Sequence, residues 1–450
     1  MGAAIDNLNP QLANLLKQQR ARWYDLIPHP VQLRLIRAVS NGIRFPVVPA
    51  GRRSGKSERA KRFVAKEALK RPNELYFCAA PTYNQVKKIF WKDMKALTFS
   101  AVHEKKPSES DLIIYLPNDT EIHLIGLDKP ERFEGIPWTG GVIDEIANVK
   151  ATAWAENIFP ALNTVYPLRP NYRAWCWLIG VPEGLNHYYD LAEAAKLPEN
   201  EEWELFTWKS AEILPPDVIE AAKRTMSAMQ FRQEFEASFE TAQGRIYPDY
   251  NERNQIDTVI GQEEQLLWMH DQNYTPLSSA IGVIRNGKIL LLDEIILTSA
   301  VSRQSALEFV HRFRHHKNKR VLIYGDPAGR AGEKHGHTSD YTEIEKVLRD
   351  AGWWYDRRVK SKAPAIKDRQ NAVRAVICNA AGDRKLFVNP SSAPWCHKGL
   401  STVQLKEGST FLESESGKDG QYQHITTAIG YFVDFEFPAK TVSHIARVAQ

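Results

Sequence analysis

A chain of 450 residues exceeds what one hydrophobic core ordinarily serves, so two domains of roughly 200 residues each are expected. With 43% hydrophobic residues, 25% charged residues and a net charge of +5, it has a globular composition that excludes disorder, collagen-like repeats and a uniformly basic nucleic-acid coat. The opening MGAAIDNLNPQLANLLKQQR lacks a signal-peptide core and Asp6 stands where a myristoylation signal takes Ser or Thr, while no apolar run of about 18 residues appears, so no membrane association is expected. Cys78, Cys176, Cys378 and Cys396 lie far apart with no CxxC, which suits small core residues in a reducing compartment.

In chain order, HPVQLRLI offers Gln32, whose amide can pair donor and acceptor with an adenine edge or can simply face solvent on a helix. β-rich apolar runs follow at 45–48, 75–79, 113–116, 121–125, 141–143 and 174–179, spaced by helix-like or loop segments, a pattern of parallel-sheet candidates in an α/β unit. The first run leads into GRRSGKS, in which Gly51, Arg52, Arg53, Ser54, Gly55, Lys56 and Ser57 form a tight loop before a helix. Such a loop wraps backbone N–H groups around phosphates, with Lys56 as a point charge and Ser57 Oγ on Mg²⁺, so ATP is the expected ligand. Ala50 replaces the usual first glycine, and a plain turn before a basic helix is the competing explanation. The strand GGVIDEI answers it. There Asp144 is placed for the Mg²⁺ shell and Glu145 for orienting and deprotonating an attacking water.

Pro215 and Pro216, a helical pattern over 217–239 and the loop-like QGRIYPDYN separate this series from a second. Its strands are expected at 265–270, 279–284, 288–296 and 320–324, with acids at strand ends in HDQNY, LLLDEII and VLIYGDPAGR. Alternation makes Asp293 and Glu294 compete for the inward direction.

Taken in order, Gln32, GRRSGKS, YFCAAPTYNQVKKIFW, ERFEGIPWTGGVIDE and LIGVPEGLNHYYD resemble the ATPase half of tailed-phage terminase large subunits. The resemblance makes Arg52 the in-loop arginine at the γ-phosphate and Arg132 the counterpart of a residue presented to a neighbouring subunit. At the family's coupling motif this chain has Gly180, Val181, Pro182, Glu183 and Gly184 in place of small hydroxyl residues. The second half resembles a ribonuclease H-like nuclease, which implies that Asp271, Glu294 and Asp326 gather two Mg²⁺ or Mn²⁺ ions around a scissile phosphate. The family's closing histidine and aspartate-alanine pair falls on His424, Thr427 and Ala428, so either the fourth carboxylate comes from elsewhere, with Asp434 the first candidate and Asp419 and Asp340 behind it, or the site is weaker than in relatives.

The fold class expected is therefore α/β: an N-terminal P-loop ATPase with a mostly parallel sheet over 1–211, a linker over 212–255, a ribonuclease H-like α/β nuclease over 256–437 and a tail over 438–450. The family implies an ATP-driven motor that moves double-stranded DNA into a procapsid and cleaves concatemers. Its partners are the portal protein, the small terminase subunit and copies of itself in a ring when working, with a free monomer in solution compatible with this, in the host cytoplasm at the portal vertex and not in the mature virion. Basic residues at 312–320 and Lys360, Lys362, Lys367 and Arg369 are candidates for phosphate contacts. A helicase or repair ATPase fused to a nuclease is the rival, as is an ATPase carrying a non-catalytic DNA-binding module, which Thr427 keeps open.

Overall fold

The computed structural model describes residues 29–98, 105–163, 172–240, 244–272, 276–330, 338–406, 413 and 420–438. Asp419 and the tail beyond 438 lie outside them. The chain divides into two compact units, Met1–Pro215 with Arg232–Glu240, and Pro216–Phe231 with Thr241–Gln450. The pattern read as one helix over 217–239 forms two, Pro216–Thr225 and Ala228–Phe235. Ser227 breaks it, because its hydroxyl accepts the N–H of Gln230 at 3.2 Å and so starts the second helix.

The first unit holds a seven-stranded sheet in the order β3-β4-β2-β5-β6-β1-β7. Its strands are β1 (Phe45–Pro49), β2 (Leu75–Ala80), β3 (Ile113–Tyr115), β4 (Glu121–Gly126), β5 (Gly140–Ile143), β6 (Trp175–Gly180) and β7 (Trp203–Leu205). All neighbours are parallel except β3 against β4. Period-2 alternation sends Val48, Tyr76 and Cys78 into one core and Phe45, Val47, Phe77 and Ala79 into the other, as expected of a sheet covered on both faces. The helices that matter here are α1 (Pro30–Ser40), α2 (Lys56–Lys70) and α3 (Tyr83–Val86). Because β1, β2 and β5 run parallel, their carboxyl ends share one edge, where ligands of open α/β sheets bind.

The second unit holds a six-stranded sheet in the order β12-β11-β8-β9-β10-β13. Here β8 (Leu266–Asp271) runs parallel to β11 (Arg320–Gly325) and antiparallel to β9 (Leu277–Arg285). Strand β10 (Lys288–Leu297) is antiparallel to β9 and parallel to β13 (Leu386–Val388), and β12 (Trp354–Arg357) completes the β11 edge. On one face pack α4 (Ser302–Arg312) and α5 (Asp340–Asp350); on the other, α6 (Ile366–Ile377), α7 (Pro394–Thr402) and α8 (Gln423–Glu436). Leu266 and Trp268 join the α4–α5 core, while Leu267 and Met269 join the α6–α8 core, which directs Asp271 to the α6–α8 side.

All four cysteines are free, with Cys78, Cys176 and Cys396 buried. Among the described residues no helix is long and apolar enough to cross a membrane.

Candidate functional site

In the first unit, the loop after β1 turns on two residues in the left-handed region, Arg53 at φ 55° and Gly55 at φ 79°. That conformation is cheap only for glycine, and at Gly55 it starts α2 directly at Lys56. Gly51 is needed for closeness instead: a Cβ there would meet Ser210 Oγ at 2.3 Å. The half-buried Lys56 ammonium reaches back across the loop and donates to the carbonyls of Ala50 and Gly51, each at 3.3 Å. Burial lowers its pKa to about 8, against the opposing pull of Asp144. One residue on, Ser57 Oγ donates to Asp144 Oδ2 at 2.5 Å, so a hydroxyl and a carboxylate from separate elements meet at one point.

Asp144 follows β5 and is buried; its Oδ1 accepts the N–H of Glu145 at 2.9 Å. Glu145 itself has φ 55°, a backbone state that costs a branched or long residue about 1–2 kcal/mol and that turns its side chain away from the strand direction. Its Oε2 accepts from Gln85 Nε2 at 3.0 Å. Burial, with Asp144 next, pushes the Glu145 carboxyl above its usual range, while Arg52 and Lys56 pull it down.

Of the remaining expected residues, Arg52 lies 3.2 Å from Glu234 Oε2. Gln32 is buried and braces the loop from behind: Nε2 donates to Ser54 O at 3.1 Å and Oε1 accepts from Arg59 Nε at 3.3 Å. Its amide is thus turned into the protein rather than held open toward a base edge. Ser54 O also accepts from Trp208 Nε1 at 3.1 Å. Arg132, on the turn Pro130–Phe133, is exposed.

Sequence reasoning passed over Gln85 and Glu234. The signal for Gln85 was present as Thr82-x-x-Gln85 directly after β2, since Thr82 caps the short α3 by accepting Gln85 N–H at 3.3 Å. Glu234 arrives from a distant helix and leaves no local trace.

In the second unit, the register Gly325↔His270 sets Asp326 beside Asp271 at the carboxyl ends of two parallel strands. His424 Nδ1 lies 2.8 Å from Asp271 Oδ2, and the Tyr431 hydroxyl donates to the Asp326 side chain. Asp326 Oδ1 also accepts Ala328 N–H at 2.8 Å.

Glu294 does not join them. It faces the same side of the sheet as Asp271, but β9 stands between, a separation of two strand spacings or about 10 Å. Its Oε1 and Oε2 accept the N–H groups of Trp395 and Cys396 at 2.8 and 2.9 Å, so it caps the first turn of α7. Burial raises its pKa, and the two amides oppose that. Asp293 points the other way, to Arg312 Nη1 at 2.7 Å.

Asp434 is buried and ion-paired to Lys360, which also removes Lys360 from the expected phosphate contacts. Asp340 accepts from Ser302 Oγ at 2.7 Å. Among the described residues no three His, Cys, Asp or Glu side chains gather as a metal site. Two further residues, Tyr431 and Glu413, lie beside this group. Their signals were the spacing His424, Thr427, Tyr431 on one helical face and, for Glu413, nothing local.

The two-unit α/β architecture is that of large terminases. The large terminase of the thermophilic bacteriophage D6E matches with TM-score 0.59 at 15% identity, covering 91% of this chain and 99% of that one. The same D6E protein in complex with ATP-gamma-S gives 0.57 at 15% identity, over 90% and 98%.

Residues 48–253 match the family described as terminase large subunit, T4likevirus-type, N-terminal. The large subunit of Thermus virus P23-45 is 26% identical over 190 residues, which is 38% of this chain and 37% of that protein. That of Escherichia phage T5 is 26% identical over 245 residues, 52% and 53% of the two. Over these residues the chain is similar to terminase large subunits. Its match spans just over a third of the Thermus relative and about half of the T5 one.

Proposed function

We propose that this chain is the ATP-hydrolysing motor that drives double-stranded DNA into a procapsid, joined to a unit that cuts the DNA, with residues 1–211 as the P-loop ATPase, 212–255 as the linker and 256–437 as a ribonuclease H-like nuclease. The observation that carries the motor is the convergence of Lys56, Ser57, Asp144 and Glu145 at the carboxyl edge of one parallel sheet. These residues fit a nucleoside triphosphate with Mg²⁺. The loop opens on left-handed turns, its ammonium is desolvated, and Ser57 and Asp144 already converge.

When bound, Mg²⁺ neutralises charge on the phosphate oxygens. Lys56 holds the phosphates, Ser57 and Asp144 hold the ion, and Gln32 stiffens the loop through Ser54. Glu145 orients the attacking water and takes its proton, a task eased by a carboxyl held above its usual range. Gln85 fixes the direction of that carboxylate. Arg52 faces the γ-phosphate end of the loop, balanced by Glu234.

Cutting is assigned to Asp271 and Asp326, aligned by His424 and Tyr431. The three-carboxylate set for two ions does not fit, since Glu294 is engaged by α7 and Asp434 by Lys360. The partners proposed are DNA, the portal, the small terminase subunit and copies of this chain in a ring, acting in the host cytoplasm. ATP-dependent filling of empty procapsids tests the motor: DNA uptake is expected with the intact chain and lost in Lys56→Ala and Glu145→Gln, and uptake that survives both sinks the proposal.

A further inference from the structure

We infer that the carboxylate site of the second unit takes a single divalent cation, at Asp271 and Asp326, and that the Arg369 guanidinium occupies its third corner in place of a second ion. The inference rests on the cutting role proposed for this site. It starts from α8, which presents His424, Thr427 and Tyr431 on one face. His424 meets Asp271 and Tyr431 meets Asp326, so Thr427, between them, faces the same group. Its Oγ1 accepts from Arg369 Nη2 at 3.3 Å.

Arg369 is built into this position. It comes from α6, is buried to 8% exposure, and lies with its guanidinium 5.0 Å from the Tyr431 ring centroid. It passes over Gly430, where a Cβ would stand 2.7 Å from Arg369 Cγ. Glu413 lies 3.8 Å from Nη2 and is itself held by Gln370 Nε2 at 3.0 Å.

The third corner therefore holds a neutral hydroxyl, a cation that does not deprotonate in proteins, and one acid, Glu413, that this cation and Gln370 already engage. Mg²⁺ and Mn²⁺ need hard anionic oxygens, and a divalent ion beside a guanidinium is repelled. Arg369 stands where a second ion would need a carboxylate, and it holds the acid nearest to it, Glu413, in an ion pair of its own.

Counting bound Mn²⁺ by calorimetric titration and electron paramagnetic resonance tests this in the full chain without nucleotide. The ions assigned to the site are the difference between the natural sequence and Asp271→Asn/Asp326→Asn, and one per chain is expected. Two would overturn the inference and leave the cutting role standing; none would overturn both. Thr427→Asp alone is expected to stay at one ion, because the new carboxylate pairs with Arg369. Thr427→Asp with Arg369→Gln is expected to reach two, and a count that stays at one in that variant, folded by its unchanged melting cooperativity, would overturn the role given to Arg369. The count on the natural sequence stands without these variants should the buried substitution prevent folding.

Discussion

In the first unit, Lys56, Ser57, Asp144 and Glu145 come from one strand end and one helix start, and each is held by a hydrogen bond of 2.5 to 3.3 Å. In the second, β8 and β11 bring Asp271 and Asp326 together, while the third acid expected from the sequence caps a helix and the fourth is tied to a lysine. Both sites sit at the carboxyl edges of parallel strands. The difference lies in what surrounds them. A phosphate loop is a local object, one strand-turn-helix whose geometry is written in seven consecutive residues. A carboxylate group is assembled from remote elements, and each of its members is decided by what packs beside it.

The largest effect is expected in the first site. Lys56→Ala or Glu145→Gln is expected to lower ATPase kcat by about 100-fold or more, as loss of a phosphate clamp or a general base does. Steady-state phosphate release measures it, and a loss below tenfold would contradict the roles given. For the second site, Asp326→Ala is expected to abolish plasmid nicking while leaving that ATPase rate within about twofold, since the two sites share no residue.

An intermediate effect is expected in acid. His270 is buried against Trp268 with ring centroids 4.1 Å apart, neither ring nitrogen has a partner among the described residues, and burial depresses its pKa to about 3. Between pH 6.5 and 3 the unfolded chain binds a proton that the folded chain refuses, so stability falls as pH falls through this window. The loss is about 2 kcal/mol at pH 5. Urea midpoints at pH 7 and pH 5 measure it, and His270→Leu is expected to shrink the gap between them; an unchanged gap would remove His270 as its source.

The smaller effects sharpen the contrast. Gln85→Ala is expected to lower ATPase kcat about tenfold with KM for ATP nearly unchanged, the signature of an orienting residue. Rescue by Gln85→Asn would be incomplete, because the shorter amide cannot span 3.0 Å contacts from the same backbone. Glu294→Gln is expected to cost about 1 kcal/mol through the α7 cap and to leave nicking intact. A nicking loss as deep as that of Asp326→Ala would restore Glu294 to the site.

Much of the fold was legible in the sequence, and for identifiable reasons. Ten of the strands fall on apolar runs long enough for alternation to speak, and β1, β2 and β5 carry the loop and acidic turn that define the first site. The strands passed over, β7, β12 and β13, are three or four residues long and lie at sheet edges, where pairing with a neighbour decides and local pattern does not. Strand β3 was read correctly as a strand, but its direction against β4 depends on a turn, not on composition. In the second site, Asp271 and Asp326 were readable because each ends a strand. Glu294 misled because an acid facing inward from within a strand reads the same for a ligand and for a helix cap, and only the arrival of α7, about 100 residues later, distinguishes them.

The missing Cβ at Gly430 carries a consequence for how this sequence can change. Arg369 reaches Thr427 only across that gap, so the three positions form one inherited unit. A lineage that gained an acid at 427 first would form an internal ion pair and acquire no new ligand. One that enlarged 430 first would push the arginine out of its slot and leave Glu413 unbalanced. Relatives should therefore hold either this trio together or an acid with a different residue at 369, and chimaeras that exchange α8 without α6 should fare worse than those that exchange both.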